Sequence, residues 1–110
     1  MDIVEHEEFK KHLKKLSRRF DDFERSYTIF KKVLKNDDLF NQVVLRNSVT
    51  ISNTGSSKLF YKYKKFKLAN VKGNIIRVIF YIEDSIIYLI EIYSKNKQEN
   101  HSTELIKKYK

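Results

Sequence analysis

A chain of 110 residues and 13.3 kDa, 41% hydrophobic and 14% aromatic, is long enough for one modest core, too short for two, and too apolar to stay disordered. It carries a formal net charge of +9 and a pI near 9.7, which implies an anionic partner, and it has no cysteine, which excludes disulfides and thiolate metal sites. No stretch reaches the roughly 18 apolar residues of a membrane span. The opening "MDIVEHEEFKK" is acidic and polar where a secretory signal is cationic and then apolar, so a cytoplasmic location and no membrane partner are expected.

Taken in chain order, Phe9, Leu13, Leu16 and Phe20 recur at spacings of 4, 3 and 4, one stripe of a helix over residues 5 to 19. Phe23, Tyr27, Phe30 and Leu34 repeat the stripe in a second helix that "NDD" at 36 to 38 ends. The two predict an αα-hairpin covering an apolar surface. From about Val43 the texture turns β-branched and aromatic, with "SNTGSS" at 52 to 57 as a flexible connection. In residues 59 to 68 the apolar positions run Leu59, Tyr61, Tyr63 and then Phe66, Leu68. The two-residue period therefore slips near Lys64 and Lys65, as a β-bulge would make it. "VKGN" at 71 to 74 and "EDS" at 83 to 85 are turns, and the strands 75 to 82 and 86 to 93 form a meander with the first. Thr103 to Tyr109 reads as a short helix capped by Asn100 or Ser102. The expected fold is a single α+β domain over residues 1–110. An N-terminal helical hairpin packs on a small antiparallel β-sheet of three to four strands, with a short C-terminal helix.

The charge is segregated. From Leu39 to Ile82 stand Arg46, Lys58, Lys62, Lys64, Lys65, Lys67, Lys72 and Arg77, with no carboxylate between them. That leaves 15 of the 23 basic residues against all 14 acidic ones elsewhere. Such a patch is the footprint of a phosphate backbone. Lys58, Lys62, Lys64, Lys72 and Lys97 are expected to hold it, and Tyr61, Tyr63 and Tyr81 to stack on splayed bases.

Little supports other chemistry. His6, His12 and His101 lack metal-ligand spacing, and His6 and His12 read as a solvated helix face, so no metal is expected. With Gly55 and Gly73 as the two glycines there is no phosphate-binding loop, and no cofactor is expected. RNA, however, can be cut by side chains alone. A base takes the 2′-hydroxyl proton, cations stabilise the charge gathering on phosphate, and an acid protonates the departing oxygen. Crowding lowers a lysine's pKa and makes its neutral form accessible. Lys65 and Lys67, two apart on a strand, are expected on one face, with Arg77 on the next strand able to fork onto phosphate.

The order of a helix hairpin, "KKFKL", a glycine-containing turn, "IRVIFY" and "IIYLIEIYSKNKQENHS" resembles the RelE/ParE superfamily of bacterial toxins, and within it the HigB-type branch. The resemblance covers about Phe9 to Leu105. It implies the toxin of a type II toxin–antitoxin system, an mRNA interferase that cuts translated mRNA in the ribosomal A site. The implied partners are mRNA, the 70S ribosome and a cognate antitoxin protein. It also implies a catalytic set of Lys65, Lys67, Arg77, Lys95 at the end of the last strand (or Lys97 if the register is shifted by two) and His101. Where RelE has an arginine after the last strand this chain has lysine, which cannot make the bidentate phosphate contact and places more of the stabilisation on Arg77. The alternatives are a ParE-like DNA gyrase poison and a non-catalytic basic RNA-binding module.

Overall fold

The computed structural model describes residues 1–51, 55 and 57–110; most of the "SNTGSS" connection lies outside the described residues. Strand β1 (Asp2–Glu5) leads into helix α1 (Glu7–Arg19) and then α2 (Phe23–Lys35). A short turn of helix, α3 (Asp37–Leu39), continues into a π-helical turn over Phe40–Leu45. Strands β2 (Ser48–Ile51), β3 (Phe60–Phe66), β4 (Ile76–Glu83) and β5 (Ile86–Ser94) follow, and helix α4 (Thr103–Tyr109) closes the chain.

The fold is α+β, with two N-terminal helices, a five-stranded sheet in the order β1-β5-β4-β3-β2, and a short C-terminal helix. Two features differ from expectation. The sheet has five strands and is mixed, because β1 pairs parallel with β5, Asp2 opposite Ile86 through Glu5 opposite Leu89. "DIVE" is short and half acidic, with no local strand signal; it becomes a strand by pairing with a partner more than eighty residues away. Helix one accordingly begins at Glu7 rather than at residue 5. Past α2, the side chain of Asn36 accepts the Leu39 N–H at 3.0 Å and starts a further helical turn. Phe40 and Val44, four apart and both fully buried, hold that turn against the core, so the β-like texture at Val43 is helical.

The remaining elements follow their sequence signals. Phe23, Tyr27, Phe30 and Leu34 of α2, with Phe9 and Leu16 of α1, cover one sheet face, meeting Tyr63, Phe66, Ile76, Val78, Phe80, Ile87, Leu89 and Ile92. The Tyr27 hydroxyl donates to the Glu5 carboxylate and ties α2 to β1, and burial together with that bond raises the Tyr27 pKa. The β4–β5 turn places Asp84 and Ser85 both at positive φ, the geometry a two-residue hairpin requires. Gly73, at φ +80°, supplies the positive φ in the loop from β3 to β4. The Ser102 side chain accepts from the Leu105 N–H and caps α4. This helix lies on the opposite sheet face, where Ile106 joins Phe60, Ile79, Tyr81, Ile90 and Tyr93 in a second cluster. Among the described residues no helix is long and apolar enough to cross a membrane.

Candidate nucleic-acid interface

Two β-bulges decide which side chains reach the α4 face. Tyr63 opposes Val78, but Phe66 opposes Ile76, so the extra residue falls at Lys64 and Lys65, where the sequence period slips. Ahead of the bulge Lys62 opposes Ile79, a residue of the α4-side cluster, and Lys64 follows on the same face, next to Arg77. Beyond it the alternation is reset. Phe66 and Leu68 join the helix-side core, so Lys65 and Lys67, which alternate with them, fall on the side of Lys64 and Arg77, and they also rim a groove against α2 with Ile29, Val33 and Val43. Lys65 and Lys67 thus share a face as expected, and the bulge adds Lys62 and Lys64 to the same side.

The second bulge lies in β5. Ile79 opposes Glu91 while Phe80 opposes Leu89, which leaves Ile90 as the extra residue. Strict alternation would send Glu91 to the helix-covered core; the bulge turns it to the α4 face in the row of Lys62 and Ile79. There it is 1% exposed and hydrogen-bonded twice: Gln98 Nε2 donates to one oxygen at 2.8 Å and the Ser102 N–H to the other at 2.8 Å. Gln98 also donates to the Asn100 carbonyl at 2.7 Å. Asn100 Oδ1 accepts from Lys62 Nζ at 2.7 Å and from the His101 N–H at 2.9 Å. A buried carboxylate thus pins the segment from Gln98 to Ser102 onto the sheet and brings His101 beside Lys62.

These groups shift one another's protonation. Burial, then the neighbouring charge of Lys62, lowers the His101 pKa, and Glu91 opposes the change. Burial, then Lys64 and Arg77, lowers the Lys62 pKa, again against Glu91. Tyr93, opposite Arg77 on β5, is pushed up to about 12 by burial and by Glu91, with Arg77 pulling the other way. The Arg77 guanidinium donates through Nη1 to the carbonyls of Asn74 at 2.5 Å and of Lys64 and Ile76 at 3.4 Å each. Since an arginine has five N–H donors, two of them on Nη1, Nε and Nη2 carry the rest. Lys62, Lys64, Arg77, Glu91, Tyr93 and His101 therefore form one cluster of depressed-pKa cation and imidazole around a buried carboxylate.

The other expected site residues lie elsewhere. Lys95 is exposed in the turn after β5, its N–H on the Ile75 carbonyl at 2.8 Å. Lys97 lines a groove beside α1 with His12, Lys15 and Arg19. Lys72 is exposed in the loop between β3 and β4. Lys58 is engaged within the fold: its Nζ donates to the Tyr109 carbonyl at 2.7 Å, sits 3.7 Å from Glu83 and lies over the Tyr81 ring. Of the three tyrosines offered for base stacking, Tyr61 and Tyr63 face away from the cluster, while Tyr81 lies on the α4 side, 5% exposed and stacked on Tyr88 at 4.7 Å. Tyr63 is 4% exposed and stacks on Phe30, and Tyr61 stacks on Phe80 at 5.3 Å against the helix-side core. His6 and His12 are both half-buried rather than solvated. The His6 imidazole stacks on Tyr109 with centroids 4.1 Å apart and meets the Tyr81 hydroxyl at 3.2 Å.

Glu91, Gln98 and Asn100 were not legible as site residues, though a single carboxylate inside "IIYLIEIYS" is a usable signal, since buried charge is rare without partners. Set against models of known protein families, curated proteins and solved structures, the chain shows no significant match to any of them.

Proposed function

We propose that this protein is a metal-independent endoribonuclease of the RelE/HigB kind, the toxin of a toxin–antitoxin pair, cutting translated mRNA in the ribosomal A site. The observation that supports it is the convergence on the α4 face of Lys62, Lys64 and Arg77 with a His101 held in place by buried Glu91. A neutral imidazole suits the base: His101 takes the proton of a ribose 2′-hydroxyl, the 2′-oxygen attacks the adjacent phosphorus, and the bond to the 5′-oxygen breaks. Lys62, its pKa lowered, gives its proton to the departing 5′-oxygen. Arg77 and Lys64 stabilise the charge on the phosphoryl oxygens. The products are a 2′,3′-cyclic phosphate and a 5′-hydroxyl.

Primer extension on a defined mRNA in a reconstituted translation reaction, with and without ribosomes, tests this with the wild type and Arg77→Ala. In-frame cuts that need the ribosome and fall by about 10²-fold or more in the variant are expected, the scale of losing one transition-state donor. Intact mRNA beside an active control nuclease would remove the proposal and leave gyrase poisoning, read as double-strand DNA breaks, or passive RNA binding.

A further inference from the structure

A groove of about 330 Å³ runs beside the edge of β5 and takes no part in the reaction proposed above. β1 pairs with β5 from Ile86 to Leu89, and beyond Leu89 that edge of β5 has no strand neighbour among the described residues. The groove follows the open edge from Ile92 to Ser94, between α1 and the loop that carries Lys97 and Gln98. His12, Lys15 and Arg19 line it from α1, three and four residues apart on one stripe, and Lys97 joins them from a segment far along the chain. No carboxylate lines it. Lys10 and Lys11 on the same helix are paired with Glu7 and Glu8, whereas Lys15, Arg19 and Lys97 have no ion pair among the described residues. Like charges four apart, as Lys15 and Arg19 are, destabilise a helix, and only Arg19 is in the last turn, where the helix dipole offsets this. The His12 imidazole is not committed to the fold either: its Nδ1 is buried without a hydrogen-bond partner, which leaves Nε2 as the ring atom able to reach a ligand.

We propose that this groove is a second anion site that binds a phosphoryl group, with Lys15, Arg19 and Lys97 supplying charge and His12 Nε2 and the Ser94 hydroxyl supplying further hydrogen bonds. A phosphoryl group suits it better than a carboxylate does. A phosphate monoester carries about −1.5 to −2 charges and three acceptor oxygens that point out of one plane, which matches donors converging from a helix, a strand end and a loop. The volume lies at the lower end of small-ligand clefts. Leu16, Ile92 and Tyr93 in its walls are buried and offer no free face to a base, so recognition is of the phosphate and not of the base. The site adjoins the α4-face cluster without belonging to it: Gln98 lines the groove, and its amide gives both N–H groups to Glu91 and the Asn100 carbonyl. The inference stands whether or not that cluster cleaves RNA.

Titration of the isotope-labelled full chain at constant ionic strength tests it with pyrophosphate, uridine 5′-monophosphate and an oligouridine that lacks terminal phosphates, with acetate as the control anion. Pyrophosphate and the mononucleotide are expected to shift the amides of residues 12–19 and 92–98 and the His12 ring, and acetate to leave them in place. Lys97→Ala, and separately Lys15→Ala with Arg19→Ala, are expected to weaken binding about tenfold or more, the loss of a charge-assisted contact. Should Arg19→Ala loosen the end of α1, Arg19→Lys keeps a charge there and still removes the two-pronged contact. Oligouridine distinguishes the sources of the phosphate. Displacement of pyrophosphate by it supports the site with an RNA backbone as ligand; its failure to do so, with the mononucleotide bound, supports the site with a free phosphorylated molecule. The proposal is overturned if neither phosphate probe shifts these amides at millimolar concentration, if acetate shifts them equally, if the shifts map to Lys62, Lys64 and Arg77 instead, or if affinity survives the substitutions. None of these readouts depends on cleavage, so an inactive chain that binds pyrophosphate here would remove the nuclease reading alone.

Discussion

Glu91 and Ser102 are joined by a 2.8 Å hydrogen bond from the Ser102 N–H to a carboxylate that is 1% exposed. Eleven residues apart in sequence, they fasten the chain after β5 back across the sheet, and His101 lies between the fastened points at Asn100 and Ser102. Glu91 touches no reacting atom in the proposed reaction; it positions the imidazole.

Replacing Glu91 separates that role from its part in stability. Glu91→Gln keeps an acceptor for the Ser102 N–H, and the expected loss is within about 1 kcal/mol, the net worth of one hydrogen bond. Glu91→Leu leaves the Ser102 N–H and the Gln98 amide without an acceptor, and a loss of about 1–3 kcal/mol is expected in urea unfolding. Cleavage should fall further in Glu91→Leu than RNA affinity does. Equal falls in rate and affinity would show that Glu91 acts only through the fold.

Because the β3 bulge leaves Lys64, Lys65 and Lys67 on the side of Arg77, these lysines differ in how they are tied to His101, and Lys62 bonds Asn100 next to it. Lys62→Ala and Lys64→Ala are expected to lower single-turnover cleavage by about 10²-fold and about tenfold, the range for a general acid and an auxiliary cation. Lys65→Ala and Lys67→Ala, exposed cations beside the bulge, should lower it by about tenfold or less, as auxiliary phosphate contacts. A larger loss from Lys65→Ala or Lys67→Ala than from Lys62→Ala would refute Lys62 as the general acid.

His6 predicts how stability depends on pH. Burial, then the charges of Lys108 and Lys58, lowers its pKa in the folded state below the ordinary 6.5, so the unfolded chain binds the proton more tightly. Its contribution is fully present above pH 6.5 and is lost as pH falls from there through the folded-state value. His6→Phe retains a ring against Tyr109 but cannot titrate. A roughly constant loss of about 1 kcal/mol is expected from the unpaired Tyr81 hydroxyl, together with a shallower fall in stability below pH 6.5. His101, lowered in the same direction, keeps part of the slope. Urea midpoints at several pH values read both effects, and an unchanged slope would refute the assignment to His6.

The sequence by itself determined the local elements. Phe23, Tyr27, Phe30 and Leu34 at helical spacing make α2 with those four residues buried, and "EDS" makes a two-residue hairpin turn because Asp and Ser tolerate positive φ there. The slip of period at Lys64 and Lys65 even announced the β3 bulge. Only the tertiary structure decided which face each charge occupies. Strand alternation has period two, so one inserted residue sends every later side chain to the other side, and its consequence depends on the register of the partner strand. The bulge at Ile90, which turns Glu91 from the helix-side core to the α4 face, leaves no mark in "IIYLIEIYS". The pairing of β1 with β5 is likewise a relation between distant segments, written in neither of them alone.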